Sequence, residues 1–271
     1  MIALYIILGL LVLICGGYIL MLRCRKNQPG LKDLQGWNYA HRGLHGNGIP
    51  ENSMEAFRLA LEGGYGIELD VHLMKDGTLA VIHDASLLRT AGVDVKIEDL
   101  TLEDLPQYRL EGTQEKIPLF REVLDLFEGK APMIIELKAH GNAAALTAAV
   151  CEMLKDYKGV FCLESFDPRC IYWLRKNRPE LIRGQLSENY AKNDKRHAPA
   201  ALEFLLAHQL ENFLIVPDFV AYRFSDRNIL GVKLARKIWG VQGVTWTIKS
   251  QEDLDTAVAE GFLPIFEGFR P

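Results

Sequence analysis

The chain has 271 residues, 49% hydrophobic and 24% charged, with no repeated or low-complexity segment; that excludes a disordered tail, a minimal module and a repeat array. The formal charge is −4, and it is unevenly spread: residues 1–26 hold three basic side chains and no acid, so the remainder sets 28 of the 31 Lys and Arg against all 35 Asp and Glu, a charge of −7. An acidic domain is a poor nucleic-acid binder, and five cysteines, an odd number without paired spacing, exclude a disulfide framework or a cysteine metal centre and read as core residues.

Met1 to Leu22 carry no charged side chain, and a helix of that length spans about 33 Å, enough to cross the hydrocarbon core of a bilayer. We expect one transmembrane helix. A cleaved signal peptide calls for basic residues ahead of the apolar run, where none precedes Arg23, and bulky Ile14 before Cys15 argues against a lipoprotein signal. Arg23, Arg25 and Lys26 follow directly, and such flanks stay in the cytoplasm, which places the following domain there. Residues 27–36, with Pro29, Gly30 and Gly36, read as a linker to a domain spanning 37–271.

Beyond the linker, short apolar runs at 37–41, 66–73, 79–84, 133–138, 160–166, 182–186, 213–219 and 243–249 alternate with helical patterns at 53–62, 119–127, 143–157, 168–176, 200–208, 228–239 and 251–260. Strand-then-helix repetition implies parallel strands with helices outside, and runs such as Met133-Ile134-Ile135 suit burial on both faces. The pattern predicts an α/β fold, a (β/α)8 TIM barrel. The tail at 262–266 is a ninth strand candidate, so one of the late segments is expected outside the eight. The rival, an open doubly wound sheet, lacks a glycine-rich fingerprint after the first strand. Residues 85–116 are too long for a barrel connection and read as an insertion after the third strand, with a short helix at 101–105.

Polar residues gather at the strand exits: His41 and Arg42, then Glu68 and Asp70, then His83 and Asp84, then Glu136 and Lys138. Barrel enzymes work at the C-terminal ends of their strands. Glu68 and Asp70, two apart, share a strand face, and with Glu136 they offer three oxygen ligands for a hard divalent cation, Mg²⁺ or Ca²⁺. A lone carboxylate at a strand end is usually a salt-bridge partner, but three in one apolar barrel raise one another's pKa unless a cation joins them. His41 and His83 suit proton transfer. Arg42 and Lys138 supply positive charge for a phosphate, the first as a planar fork and the second as a point charge.

Motifs in fixed order run from Y-A-H-R-G at Tyr39 through P-E-N-S at Pro50, G-I-E-L-D-V at Gly66, K-D-G-T-L-A-V-I-H-D at Lys75, I-I-E-L-K at Ile134 and E-S-F at Glu164 to V-T-W-T-I-K at Val244. The chain after about residue 38 resembles the glycerophosphodiester phosphodiesterase family, whose barrels are similar to those of the phosphatidylinositol phospholipases C. The resemblance implies metal-dependent hydrolysis of glycerophosphodiesters to sn-glycerol 3-phosphate and an alcohol, with His41 and His83 as general acid and base in an order left open. The nucleophile is equally open, either water or a substrate hydroxyl that gives a cyclic phosphate. The resemblance also makes Glu51 a site residue and places the alcohol end of the substrate near the insertion. A membrane anchor makes lysophospholipase D activity on membrane lysolipids the close alternative, and a membrane-bound phosphodiester sensor without turnover the rival of another class.

Phe166 and Trp246 end strands and could wall a glycerol or acyl pocket; Gln185 is a weaker hydrogen-bonding candidate. Asn52 and Ser53 read as caps of the helix that follows, and Asp76-Gly77 as a tight turn. His72 shares the face of Glu68 and Asp70 but fits no motif and is left aside. Two features depart from the resemblance or add to it. The final segment reads L-P-I-F-E-G-F-R-P, with Glu267 where the family has Asp, and the loop at 192–197 carries Lys192, Lys195, Arg196 and His197, a solvated cluster that on an anchored protein could meet anionic headgroups.

Overall fold

The computed structural model describes residues 1–193 and 198–271; of the basic loop, Lys195, Arg196 and His197 lie outside the described residues. Among the described residues nine strands form one sheet: β1 (Tyr39–His41), β2 (Gly66–Leu73), β3 (Leu79–Val81), β4 (Met133–Leu137), β5 (Phe161–Ser165), β6 (Arg183–Ser187), β7 (Phe219–Arg223), β8 (Gln242–Ile248) and β9 (Phe262–Phe266). Eight of them run parallel in the order β1-β2-β4-β5-β6-β7-β8-β9 and close by pairing β9 with β1, the expected TIM barrel. The strand left out is the early β3, which pairs antiparallel on β2, and every late segment lies inside the barrel. The turn explains this. Lys75-Asp76-Gly77 reverses the chain tightly, with Gly77 at φ +89° and the Asp76 carboxylate accepting from the Thr78 amide at 3.0 Å, and a strand returned by so short a turn can only be antiparallel.

The segment at 213–219 also differs from expectation. Its first part is a helical turn, Asn212–Ile215, and β7 begins at Phe219 and runs to Arg223. Pro217 has no amide to give to a strand ladder, so pairing starts beyond it.

Alternation along the strands sorts the core into two layers. Ile134 of β4 and Cys162 of β5 point inward with Tyr39, Phe219, Val244 and Leu263. Met133, Ile135 and Leu163 point outward against the surrounding helices, which contribute Phe57, Phe120, Leu146 and Ile171. Two residues beyond the inward Ile134 and Cys162 come Glu136 and Glu164, cross-strand neighbours of one another, with Asp70 opposite Glu136 on the other side. The barrel is therefore apolar at its floor and acidic at its mouth. Residues 85–116 pack on β3 around a cluster of their own that includes Ile97, Leu100, Leu105 and Leu110.

Helix α1 (Ile2–Met21) has no buried residue and is long and apolar enough to cross a membrane. The chain after it is not a free tether. Leu22 and Cys24 are buried with Val220, Tyr222 and Val232, the Arg25 amide donates to the Pro217 carbonyl at 2.9 Å, and the expected linker contains α2 (Leu31–Leu34). Leu34 caps the barrel floor, its carbonyl accepting from the Tyr39 hydroxyl at 2.6 Å.

Candidate active site

The turn after β1 sets the site's first side chains. Arg42 sits at φ +54° and Gly43 at φ +80°, and a Cβ on Gly43 would stand 2.8 Å from the Ala56 carbonyl carbon, so glycine is required there. This turn brings the Arg42 amide to Glu68 Oε2 at 3.1 Å and its guanidinium to Glu51 Oε1 at 2.9 Å and Asp70 Oδ2 at 3.5 Å. His41 Nε2 lies 3.8 Å from Glu68 Oε2.

Glu68, Asp70 and Glu136 are all buried, and one oxygen from each falls within 4.8 Å of the others. Lys138 Nζ bridges Glu136 Oε1 at 2.8 Å and Asp70 Oδ1 at 3.0 Å, while the Asn52 amide donates to Asp70 Oδ2 at 2.8 Å. Burial pushes Asp70 up, yet Lys138, His83 and Arg42 outweigh it and hold Asp70 well below the usual carboxylate range. Burial, then Asp70 and Glu136, push Glu68 far above its ordinary value, and burial lifts Glu136 to about 7 against the pull of Lys138. Glu164 is buried, is raised by burial and by Glu136, and leaves its Oε2 without a hydrogen-bond partner.

Four carboxylates thus face two fixed cations, Arg42 and Lys138, which leaves two negative charges uncompensated when all are ionised. Asp70 Oδ1, besides Glu164 Oε2, is outside hydrogen-bond geometry. A divalent cation fits this donor set: the ligands are all oxygen, they already converge, and the missing charge is the charge such an ion carries.

His41 and His83 both line the cleft above the acids, together with Arg42, Glu68, Glu136, Glu164, Phe166 and Trp246. Their rings are held alike. His41 Nδ1 lies 2.5 Å from Glu267 Oε2, and His83 Nδ1 lies 2.6 Å from Asp84 Oδ1. A carboxylate only accepts, so each Nδ1 carries a proton and each Nε2 presents a lone pair. Burial lowers His83 to about 4 and lowers His41 as well, in the second case against the hydrogen bond His41 donates to Glu267. The His41 hydrogen bond in turn holds Glu267 down at about 2.

The structure brings together all ten of the sequence-derived residues, with Glu51 one step removed. It lies between Arg42 and Arg89, whose Nη2 approaches Glu51 Oε1 at 2.7 Å, and these guanidinium groups keep its carboxyl low despite burial. Phe166 and Trp246 meet edge to face, centroids 5.6 Å apart. Gln185 is buried deeper and donates to the Phe166 and Leu186 carbonyls. Ser53 caps its helix by accepting from the Ala56 amide at 3.1 Å; Asn52 does not cap but holds Asp70, its own backbone at φ +52°. Arg89, Glu164 and Glu267 join the site without standing out as site residues in the sequence. Glu164 carried a usable signal, lying in the E-S-F motif; Arg89 and Glu267 carried none beyond the departure already noted at Glu267.

The sequence model of the glycerophosphoryl diester phosphodiesterase family matches residues 41–266. A glycerophosphodiester phosphodiesterase of Caldanaerobacter subterraneus is 31% identical over 235 residues, 82% of this chain and 89% of that protein. A lysophospholipase D of Rattus norvegicus is 36% identical over 154 residues, 52% of this chain; the match spans only 46% of that relative's length. Among solved structures, an Oleispira antarctica phosphodiesterase in complex with the product sn-glycerol-3-phosphate superimposes with a TM-score of 0.70 at 25% identity, covering 85% of this chain and 92% of that one.

Proposed function

The chain belongs to the glycerophosphodiester phosphodiesterase family, and from that premise we propose that it hydrolyses glycerophosphodiesters to sn-glycerol 3-phosphate and an alcohol. The observation that carries the reading is the pair of imidazoles over a convergent acid cluster, each with its Nδ1 on a carboxylate and its Nε2 free. Phosphodiester hydrolysis needs one proton removed from the nucleophile and one delivered to the leaving alkoxide. Two such nitrogens in one cleft supply both, one histidine accepting at Nε2 and the other, protonated, donating from Nε2. Glu267 and Asp84 hold the rings in that tautomer and favour the imidazolium when it forms, as the acid of a catalytic triad does.

Glu68, Asp70 and Glu136 are the residues that would hold a divalent cation, Mg²⁺ or Ca²⁺, which when bound supplies positive charge for the phosphoryl oxygens. Arg42 and Lys138 orient the phosphate from the protein side, and Glu51, tied to Arg42, fixes that guanidinium. Phe166 and Trp246 offer an apolar wall to glycerol or to the lipid end of the substrate. Water and a neighbouring substrate hydroxyl both suit this acid-base pair, and trapping a cyclic glycerol phosphate separates the two routes.

A second reading, lysophospholipase D activity at a membrane, rests on α1 and on apolar side chains left exposed near its C-terminal end, among them Phe213 and Leu214, on the short helix Asn212–Ile215 that packs against α1. With Arg23, Arg25 and Lys26 after the helix, the barrel would lie on the cytoplasmic side; protease accessibility in sealed vesicles checks this. The deciding experiment assays glycerophosphocholine, glycerophosphoethanolamine and lysophosphatidylcholine with Mg²⁺, with Ca²⁺ and with EDTA. We expect turnover with one of the ions and none with EDTA. No turnover of any substrate with either ion would leave a binding protein instead.

A further inference from the structure

Behind His83, on the strand face that also carries Glu68 and Asp70, His72 is fully buried. Its two ring nitrogens have opposite surroundings. Nε2 lies 3.1 Å from the His83 carbonyl oxygen; a carbonyl accepts only, so the proton is on Nε2 and Nδ1 keeps its lone pair. Nδ1 has no hydrogen-bond partner, and Glu98 Oε1 lies 3.5 Å from it. A buried lone pair aimed at a carboxylate oxygen is unfavourable with nothing between them.

A third ligand stands beside these two. His140, on the loop beyond Lys138, lies parallel to the His72 ring, centroids 5.4 Å apart with 12° between the planes, and one donor atom from each of His72, Glu98 and His140 lies within 4.8 Å of the others. Two ligand atoms bound to one tetrahedral ion at about 2.0–2.1 Å stand roughly 3.4 Å apart, close to the His72–Glu98 spacing. His140 is exposed, so its ring can close the remaining gap. A ligating histidine whose other nitrogen donates to a backbone carbonyl is the usual arrangement around a protein-bound metal.

We propose that His72, Glu98 and His140 form a second metal site, separate from the acid cluster and suited by its two nitrogens and one oxygen to a borderline ion such as Zn²⁺. Hard Mg²⁺ and Ca²⁺ prefer the all-oxygen set. The ligands come from the end of β2, from the loop after β4 and from the insertion, so a bound ion ties the insertion to the two strands that carry the acid cluster, and holds in place the ring on which the His83 carbonyl rests.

The test uses the full chain with Co²⁺ as the optical probe, in excess Mg²⁺ to occupy the acid cluster. Nitrogen-bound Co²⁺ of low coordination number absorbs visibly far more strongly than the six-coordinate aqua ion. The wild-type chain is expected to show the strong band and to lose it on addition of Zn²⁺. His140→Ala and Glu98→Gln should each weaken Co²⁺ binding at least about tenfold and diminish the band. A Glu68→Gln, Glu136→Gln double variant should keep it, which separates this site from the acid cluster without reference to turnover. The proposal is overturned if the wild-type chain shows only the weak aqua-ion spectrum at saturating Co²⁺, or if His140→Ala and Glu98→Gln bind as the wild type does. His140 is exposed, so its removal tests the ligand set without threatening the fold.

Discussion

Both ends of the barrel bury charge, and they do so in opposite ways. At the floor, Asp218 is met by Arg25, whose Nη2 donates to Oδ2 at 2.8 Å, and by the Arg183 amide at 3.0 Å; the Arg183 guanidinium donates onward to the Val216 carbonyl at 2.9 Å. No side-chain polar atom of these three residues is left unsatisfied. At the mouth, acids outnumber fixed cations two to one, Asp70 Oδ1 is met only by the Lys138 ammonium at 3.0 Å, and Glu164 Oε2 is left without a hydrogen-bond partner. Burial acts alike at both places, raising Asp218 and lowering Arg183 to about 10. What differs is closure: the floor is complete with the chain's own groups, whereas the mouth, on the function proposed above, is completed by a cation and a phosphate supplied from outside.

The widest separation between the two ends is expected in rate. His41→Ala or His83→Ala should lower kcat for glycerophosphocholine by about 10²- to 10⁴-fold with little change in melting temperature, measured as release of sn-glycerol 3-phosphate. Full activity in either variant would remove that group from the proton chemistry. Glu267→Gln keeps the size of the side chain but can turn its amide toward His41, so a rate loss of roughly 10-fold or more is expected, smaller than for His41→Ala because the ring itself remains.

At the floor the effects reverse. Asp218→Ala leaves Arg183 and the partly exposed Arg25 without their carboxylate, and breaking such a pair costs about 3 kcal/mol. For a chain of this size that is a fall of roughly 6–12 °C in Tm, with kcat of the folded enzyme unchanged; an unchanged Tm would show the floor network to be dispensable.

A third arrangement is neither of these, and its effect shows only as pH is varied. Glu211 has neither closure nor an acid cluster: both carboxyl oxygens are dry and unpartnered, and burial lifts the group to about 8. The folded state therefore holds a proton that the unfolded chain releases near the ordinary value of about 4.3. Stability falls as pH rises from there through about 8, and is flat above it. Glu68, Glu136 and Glu164 are raised too and add to the decline, so melting curves between pH 5 and 8 should fall less steeply in Glu211→Gln than in the wild-type chain, the variant gaining relative stability at the upper end. Parallel curves for the two proteins would contradict it.

How much the sequence disclosed follows the range of the interactions. Glu68 and Asp70 share a face by alternation alone, and His41, His83, Glu136 and Lys138 stand at strand exits, so local pattern placed them. Glu267 reaches His41 across 226 residues because β9 closes on β1, and Arg89 reaches Glu51 from the insertion, 38 residues away; neither approach is written in a local period. β3 passes for a barrel strand in the sequence because three buried apolar residues look alike in either direction of pairing, although the turn at Asp76-Gly77 implies reversal. Asn52 reads as a cap because it precedes a helix, a position in which capping and carboxylate binding use the same side-chain chemistry.

The packing of Leu22, Cys24 and Arg25 onto the outer wall and floor of the barrel carries one last consequence. Were α1 seated in a bilayer, as proposed above, the barrel would be a fixed mount rather than a body swinging on a leash. The height and tilt of its opening above the lipid surface are then set by the fold, and inserting flexible residues after Lys26 would lengthen no reach, because the chain on both sides of the insertion stays bolted to the same wall.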